Sequence, residues 1–208
     1  MVSYSPVEIK EKYSKIASRY DMLEALPELL GLARIRNALF QKAEGNVLEV
    51  AAGTGKNFPN YKKSVALTAV DISPDMLAEA EKKATKYKLN ARFLLMDAHA
   101  LDFPDRSFDT VTSSMSVCTF KDPVKAVNEM IRVCRPGGWI LLLEHGKSSK
   151  KWINRFLDKK AAAHAQVLGC HWNRDIPHVL AHTNMDIISH KDYFFGIFHS
   201  IEANPKAS

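Results

Sequence analysis

The chain contains 208 residues, of which 46% are hydrophobic and 25% are charged. This length is sufficient for one domain with a sizeable core, and no apolar run reaches the length of a membrane-spanning helix. The formal net charge of +6 at pH 7 is compatible with an anionic partner such as a lipid surface or a nucleic acid. Because the basic residues are scattered and lack the interleaved aromatics of an RNA-binding module, we expect no nucleic-acid partner.

Residues 1–6 contain neither an apolar signal core nor an arginine-rich leader. We therefore predict a cytoplasmic protein, with membrane contact limited to a peripheral contact with an anionic surface. The three cysteines, Cys118, Cys134 and Cys170, form neither an even disulfide set nor a cluster with metal-binding spacing. No metal site is therefore predicted.

Residues 6–40 carry two helical patterns. In the first, apolar and aromatic residues fall on one stripe, namely Val7, Ile9, Tyr13, Ile16 and Tyr20. In the second, Pro27 suits a first helical turn, and the broad apolar face that follows includes Leu29, Leu30, Leu32, Leu39 and Phe40. We predict two helices ahead of the first strand.

Residues 46–56 read as a buried strand, a tight turn and the start of a helix. Val47, Leu48 and Val50 suit a parallel strand that is covered on both faces. The small residues that follow, Gly53 and Gly55 among them, let a ligand approach the backbone and the first helical N–H groups. The segment predicts a ligand site.

Two acids strengthen this prediction. Asp71 closes the next apolar run, twenty-two positions after Glu49, and Asp97 closes the third. In a doubly wound sheet, the acid at the end of the neighbouring strand accepts hydrogen bonds from ribose hydroxyls. Because parallel strands present their carboxyl ends at one edge, we expect the acids to share one crevice.

The pattern Glu49-x-Ala51-x-Gly53-x-Gly55 differs from the three-glycine pattern of dinucleotide folds. The chain resembles the class I S-adenosylmethionine-dependent methyltransferases of the type 11 group over residues 13–203, through motifs at 47–55, 69–77, 96–98, 108–111 and 135–138. Within that group it is similar to ubiquinone and menaquinone C-methyltransferases, which have a lid segment like residues 13–21, and to bacterial phospholipid N-methyltransferases. Residues 169–176 resemble a segment of methyltransferase-like thiol methyltransferases and of fungal mitochondrial methyltransferase-like proteins.

The resemblance implies an α/β fold with a Rossmann-like, doubly wound, seven-stranded and mostly parallel sheet. The strand and helix alternation over residues 46–143 agrees with such a sheet. An N-terminal helical lid and an antiparallel C-terminal hairpin, with strands at 185–191 and 194–203, complete it. We expect one methyltransferase domain over 1–208, with a lid (1–43), a cofactor-binding core (44–146) and a substrate side (147–208).

The resemblance also implies the cofactor S-adenosylmethionine and the residues that bind it. Asp71 would bind the ribose, Asp97 and Ala98 the adenine, and the tyrosines the methionine end or the substrate. The full set is Tyr13, Tyr20, Glu49, Ala51, Gly53, Gly55, Asn57, Asp71, Ile72, Met76, Asp97, Ala98, Ser113 and Ser114. Many of these residue types also occur in an ordinary α/β core, so a structural role stays open for Tyr13, Tyr20, Ile72 and Met76.

Methyl transfer demands no catalytic nucleophile or metal, but one base near the acceptor would help. The candidates, in order, are His145, His171 and Tyr20. His145 follows the fifth strand at its carboxyl edge, and a structural role is nearly as well supported. Cys118 is interpreted as a wall residue of the pocket.

We expect direct in-line methyl transfer to a small-molecule or lipid-like acceptor, which is a thiol, a quinol or a phospholipid amine. The fourth strand lacks the Asn/Asp-Pro-Pro-aromatic signature of enzymes that methylate DNA bases or protein glutamine. Two alternatives stay open, a cofactor-binding but non-catalytic assembly factor and, less favoured, an RNA or protein methyltransferase. The sequence leaves the oligomeric state undetermined.

Overall fold

The computed structural model describes residues 4–206, so predictions for 1–3 and 207–208 lie outside the described residues. Seven strands form one sheet in the order β3-β2-β1-β4-β5-β7-β6. They are β1 (Asn46–Val50), β2 (Ala66–Asp71), β3 (Ala91–Leu95), β4 (Phe108–Ser114), β5 (Cys134–His145), β6 (Met185–Tyr193) and β7 (Phe198–Pro205). Strands β1 to β5 run parallel, and β7 runs antiparallel to β5 and β6. The predicted mostly parallel sheet with an antiparallel hairpin is confirmed.

Eight helices accompany the sheet within residues 4–206. They are α1 (Pro6–Ile16), α2 (Tyr20–Leu23), α3 (Ala25–Pro27), α4 (Ala33–Phe40), α5 (Pro74–Tyr87), α6 (Pro123–Val133), α7 (Lys151–Leu168) and α8 (Ile176–Ala181). A 3₁₀ turn joins α1 to α2, a second one spans Phe58–Asn60, and a kinked segment, Glu28–Leu32, joins α3 to α4. Over residues 4–206, no helix has both the length and the apolar character needed to cross a membrane.

The sheet separates two hydrophobic layers. Leu48 and Val50 of β1 point into one layer, which α6 and α8 cover, whereas Val47 points into the other, which α4 and α5 cover. Alternate residues of a strand face opposite sides, so an apolar strand such as β1 suits a sheet covered on both faces.

The second predicted helix is broken. Pro27 ends α3 instead of opening a long helix, and Gly31 has φ 122°, which no helix accommodates. Leu32 is buried, whereas Leu29 and Leu30 are 83% and 65% exposed. The apolar face read from the sequence is therefore divided between the core and the surface.

The predicted boundaries of the C-terminal hairpin were also wrong. Phe194 was expected to start the last strand, but Phe194, Phe195 and Gly196 all have positive φ and form the turn between β6 and β7. Three consecutive residues in the left-handed region cannot continue a strand. The last paired residues of β6 and β7 before the turn are Tyr193 and Phe198.

Side chains cap the start of two helices. The Ser73 hydroxyl accepts a hydrogen bond from the Met76 N–H at the start of α5. The Asp175 carboxylate accepts one from the His178 N–H at the start of α8. Such caps pair N–H groups that have no partner within the helix.

A buried polar network lies beneath the carboxyl edge of the sheet. The Glu49 carboxylate accepts hydrogen bonds from Asn57 Nδ2 at 2.9 Å and from the Tyr61 hydroxyl at 2.8 Å. Burial raises the pKa of Glu49 to about 7, although these two hydrogen bonds oppose the shift. Because an acid in the unfolded chain titrates near its ordinary pKa, the native state binds more protons than the unfolded state between these two values.

We expect the Glu49→Gln variant to lose part of the pH dependence of stability. The free energy of unfolding of the wild type should fall as pH rises from 5 to 8, and Glu49 should contribute about 3 kcal/mol to that fall. Denaturant unfolding at pH 5 and at pH 8 measures this contribution. The control is Glu44→Gln, which changes an exposed carboxyl. An equal fall in Glu49→Gln and the wild type would contradict this prediction.

Candidate cofactor and active site

A cleft of about 970 Å³, part of it open to solvent, lies at the carboxyl edge of the sheet. The segments after β1, β2, β3 and β4 form its floor and walls, and the N-terminal helices cover it. Its lining includes Tyr13, Tyr20, Gly53, Lys56, Asp71, Met76, Asp97, Ser114 and Phe120. This is the edge at which open α/β sheets bind ligands.

The two glycines of the turn after β1 have different functions. A Cβ atom at Gly53 would meet no atom within 4 Å, so the backbone there faces open space in the cleft. A Cβ atom at Gly55 would lie 2.5 Å from the Phe58 ring. Both glycines have positive φ, but only Gly53 is suited to contact a ligand. Gly55 is required for packing.

The Asp71 carboxylate joins the tips of β1 and β2. It accepts hydrogen bonds from the Gly53 N–H at 2.8 Å and from the Ser73 N–H at 2.9 Å. Burial raises the pKa of Asp71, and these backbone hydrogen bonds oppose the shift. Each carboxylate oxygen has two lone pairs, so a buried acid held in this way can also accept from the hydroxyls of a ribose.

Asp97 is oriented by His99. The His99 Nε2 atom accepts from the Asp122 N–H at 3.2 Å, so its Nδ1 atom carries the proton and donates to Asp97 Oδ1 at 2.6 Å. The His99 N–H donates to the same oxygen. The other carboxylate oxygen is therefore suited to accept from an amine such as that of adenine, and His99 serves as a positioning residue.

Two basic side chains, Arg36 and Lys56, lie at the end of the cleft near β4, with Glu24 and Glu28 beside them. The Arg36 guanidinium donates to Glu28 at 2.7 Å and to Ser114 Oγ at 2.9 Å, and also donates to Asn57. Lys56 Nζ is buried and has no hydrogen-bond partner among residues 4–206. A buried ammonium without a partner is unfavourable, so Lys56 is suited to bind an anionic group of a ligand.

Polar contacts fix the N-terminal helices over the cleft. Ser14 Oγ lies 2.8 Å from Ser73 Oγ, which joins α1 to the cap of α5. Asp21 accepts from Thr54 Oγ1 at 2.6 Å and pairs with Lys83 at 2.5 Å. The cover therefore attaches directly to the turn after β1, and it brings Tyr13 and Tyr20, with ring centroids 5.9 Å apart, to the cleft.

The structure brings together ten of the residues predicted to bind the cofactor. They line the cleft and are Tyr13, Tyr20, Ala51, Gly53, Asp71, Ile72, Met76, Asp97, Ala98 and Ser114. The other four lie behind this lining: Glu49, Gly55, Asn57 and Ser113. Asn57 Nδ2 donates both to Glu49 and to Ser114 Oγ, and Ser114 is part of the lining. Ser113 Oγ donates to the Val50 carbonyl.

The three candidate bases do not all line the cleft. Tyr20 lines the cleft, but burial raises its pKa well above the ordinary value, so it is a poor base at neutral pH. His145 Nε2 lies 3.3 Å from Cys170 Sγ, and His171 is buried with its N–H donating to the Cys118 carbonyl. Neither histidine belongs to the lining formed by residues 4–206. A catalytic role for any of the three stays a prediction.

Sequence reasoning missed Arg36 and Lys56. Lys56 directly follows Gly55, and its place in the turn after β1 is the feature by which it could have been predicted. Arg36 lies in the second helical segment, ten positions before β1, and only the tertiary fold brings it to the cleft. Tyr4, Glu24 and Thr54 also line the cleft without having been predicted.

The residues present fit S-adenosylmethionine. Asp71 supplies a hydrogen-bond acceptor for the ribose hydroxyls, and Asp97 supplies one for the adenine amine. The carboxylate of the methionine part needs a cation. Lys56 Nζ is buried over the Tyr20 ring, 5.4 Å from its centroid, and has no hydrogen-bond partner within residues 4–206. The open space beside Gly53 allows close approach to the backbone.

We expect Lys56→Met to weaken binding of S-adenosylhomocysteine by about tenfold or more, since a hydrogen bond to a charged group contributes about 1.5–3 kcal/mol. Binding of methylthioadenosine, which lacks the carboxylate, should be unchanged. The unliganded variant should stay folded, because Lys56 Nζ forms no hydrogen bond within residues 4–206.

Calorimetric titration of both ligands measures this effect, and thermal unfolding measures the stability. Lys62→Met, which changes an exposed lysine in the same segment, is the matched control. Equal weakening of both ligands by Lys56→Met would show that Lys56 does not bind the carboxylate.

Comparison with known proteins identifies the family. The type 11 methyltransferase domain matches residues 48–142. A phosphatidylethanolamine N-methyltransferase of Cereibacter sphaeroides is 37% identical over 69% of this chain and 71% of its own length. A demethylmenaquinone methyltransferase of Thermus thermophilus is 38% identical over 64% of this chain and 63% of its own. The mitochondrial methyltransferase OMS1 of Saccharomyces cerevisiae is 29% identical over 93% of this chain, which spans only 45% of that relative.

Solved structures show the same fold. The [4+2]-cyclase SpnF matches with a TM-score of 0.75 over 100% of this chain and 99% of its own, at 14% identity. An S-adenosylmethionine-dependent methyltransferase from Aquifex aeolicus matches with a TM-score of 0.62 over 97% and 98%, at 16% identity. At these identities the likeness concerns the fold alone. Together with the sequence relatives, it shows that the chain belongs to the class I S-adenosylmethionine-dependent methyltransferases of the type 11 group.

Proposed function

We propose that the protein transfers a methyl group from S-adenosylmethionine to a lipid-like acceptor, a quinol or a phospholipid amine, by direct in-line displacement. A small thiol is the second acceptor class. The observation that carries the proposal is the cleft itself, in which acids and a lysine suited to the cofactor adjoin a wall of aromatic side chains.

When bound, S-adenosylmethionine supplies an electrophilic methyl group on a sulfonium, so the protein's tasks are binding, alignment and exclusion of water. Asp71, Asp97 and Lys56 would hold the cofactor. The covering helices contribute Ile9, Tyr13 and Tyr20 to the cleft, and Tyr4, just before α1, joins them. These side chains would exclude water and contact an apolar acceptor.

An exposed apolar surface formed by the N-terminal segment, α7 and the turn between β6 and β7 supports a lipid-like acceptor. We call it the leucine-aromatic face, and it comprises Met22, Leu23, Leu26, Leu29, Leu30, Trp152, Phe156 and Phe195, each more than half exposed. Soluble proteins rarely expose large contiguous apolar patches unless these patches bind a partner.

Three elements come together at this face. A Cβ atom at Gly31 would lie 3.7 Å from the Phe194 ring, which places the segment of Leu29 and Leu30 beside the hairpin turn. The Phe195 carbonyl accepts from the Ser149 N–H at 3.1 Å, which places the same turn beside the start of α7. The exposed side chains therefore lie on adjoining elements.

Basic residues accompany the apolar ones. Lys150, Lys151 and Arg155 are exposed on the first turns of α7 and its cap, next in sequence to Trp152 and Phe156. An apolar surface with adjacent lysine and arginine suits the interface of an anionic bilayer. We propose that this face rests on such a membrane, as expected from the sequence.

The N-terminal helices connect this face to the cleft. Leu23 and Leu26 flank Glu24, which lines the cleft, as does Tyr20 one turn earlier. A lipid headgroup would therefore have a short path from the bilayer to the site. The printed names of two relatives, a phosphatidylethanolamine N-methyltransferase and a demethylmenaquinone methyltransferase, add support. A cytoplasmic location and the absence of a nucleic-acid partner stay predictions.

The test is methyl transfer from labelled S-adenosylmethionine to three acceptors: phosphatidylethanolamine in vesicles that contain phosphatidylglycerol, a water-soluble short-chain quinol, and a small thiol. We expect transfer to the vesicles or to the quinol. The double variant Leu29→Glu, Leu30→Glu should lower transfer to vesicles by about tenfold or more, because each leucine buried in the membrane contributes about 1.5–3 kcal/mol. Transfer to a soluble acceptor should be unchanged.

Leu95→Glu is the matched control, because Leu95 is 57% exposed on β3, at the opposite edge of the sheet from β6. Equal loss in Leu95→Glu would contradict the membrane contact. No transfer to any of the three acceptors, with S-adenosylhomocysteine still bound, would favour the assembly-factor alternative over an enzyme with these substrates.

A further inference from the structure

Three potential metal ligands meet behind the wall of the cleft. Cys118 follows β4, His145 ends β5, and Cys170 follows α7. Cys170 Sγ lies 3.1 Å from Cys118 Sγ and 3.3 Å from His145 Nε2, and all three ligand atoms lie within 4.8 Å of one another. Two sulfurs and an imidazole nitrogen are the donors that zinc prefers.

We propose that Cys118, His145 and Cys170 bind a thiophilic divalent ion, with Zn²⁺ as the foremost occupant. Tetrahedral zinc with bonds of about 2.3 Å to sulfur separates two sulfurs by about 3.8 Å. The two thiols therefore need to separate by less than about 1 Å, which rotation of the side chains can supply. Three protein ligands leave a fourth position for water or another small ligand.

The site is preorganised by backbone contacts. The His171 N–H donates to the Cys118 carbonyl at 3.1 Å, and the Lys147 N–H donates to the Arg174 carbonyl at 2.8 Å. These bonds hold the segment of Cys170 against both other ligand-bearing segments. The ligands of a metal site need such support to keep their geometry.

A basic side chain, Arg174, lies near the two cysteines. The Arg174 guanidinium interacts electrostatically with both cysteines and with Glu144. Its Nε atom is buried and has no hydrogen-bond partner in the described part of the chain. The hydrogen bond with Cys170 and burial raise the pKa of the Cys118 thiol, so the bound ion itself has to displace the thiol protons. Binding of a divalent ion releases two thiol protons and forms two metal–sulfur bonds, without any change of oxidation state.

The sequence gives no local sign of this site, because its three ligands are 27 and 25 positions apart. A bound ion would fix the segment after β4, whose Ser116, Thr119 and Phe120 line the cleft, to the C-terminal half of the chain. The ion would therefore stabilise the wall of the cleft.

The test is titration of the fully reduced, metal-free chain with Co²⁺, which gives a thiolate-to-cobalt charge-transfer absorption when bound by cysteine. We expect saturation at one equivalent, displacement by Zn²⁺, and a higher unfolding temperature of the wild type with Zn²⁺. Cys118→Ser and Cys170→Ser should abolish the absorption, and His145→Gln should weaken binding. Cys134→Ser removes a buried cysteine that lies outside the cluster, so it should bind like the wild type.

Absence of the absorption in reduced, folded wild type would overturn the proposal, as would equal loss in Cys134→Ser. Binding of S-adenosylhomocysteine by each variant verifies that it is folded. The outcome is independent of the proposed methyl transfer, because S-adenosylhomocysteine and the metal ion would bind to different residues.

Discussion

The Asp71 carboxylate is the contact on which the rest of the site depends. Its hydrogen bonds from Gly53 and Ser73 join the turn after β1 to the end of β2 and to the cap of α5. Ser14 on α1 then contacts Ser73, and Asp21 contacts Thr54 in the same turn. One buried acid therefore fixes the floor of the cleft, and through it the covering helices.

Much of this arrangement could be predicted because it is local. The apolar run of β1, the small residues after it and the acid that closes β2 lie within 26 positions, from 46 to 71, and parallel strands bring their ends together. Gly55 shows the limit of a prediction from local sequence. Its residue type was identified correctly, but the structure uses it to make room for the Phe58 ring.

The rest depended on contacts between distant segments. Arg36 lies on α4, which follows the kink at Gly31, and lines the cleft, whereas Leu29 and Leu30 before the kink are exposed. Periodicity alone cannot distinguish an exposed apolar face from a buried one. In the same way, nothing in the local sequence places the His145 ring nitrogen beside Cys170, which is 25 positions away. A role for His145 toward the substrate stays a prediction.

The central claim is that S-adenosylmethionine lies across the strand tips, with its ribose at Asp71 and its carboxylate at Lys56. A crystal structure of the protein with S-adenosylhomocysteine tests it most directly. The account predicts ribose hydroxyls within hydrogen-bonding distance of the Asp71 carboxylate and the ligand carboxylate at Lys56 Nζ. A ligand bound elsewhere, or one in this cleft with its ribose away from Asp71, would contradict it.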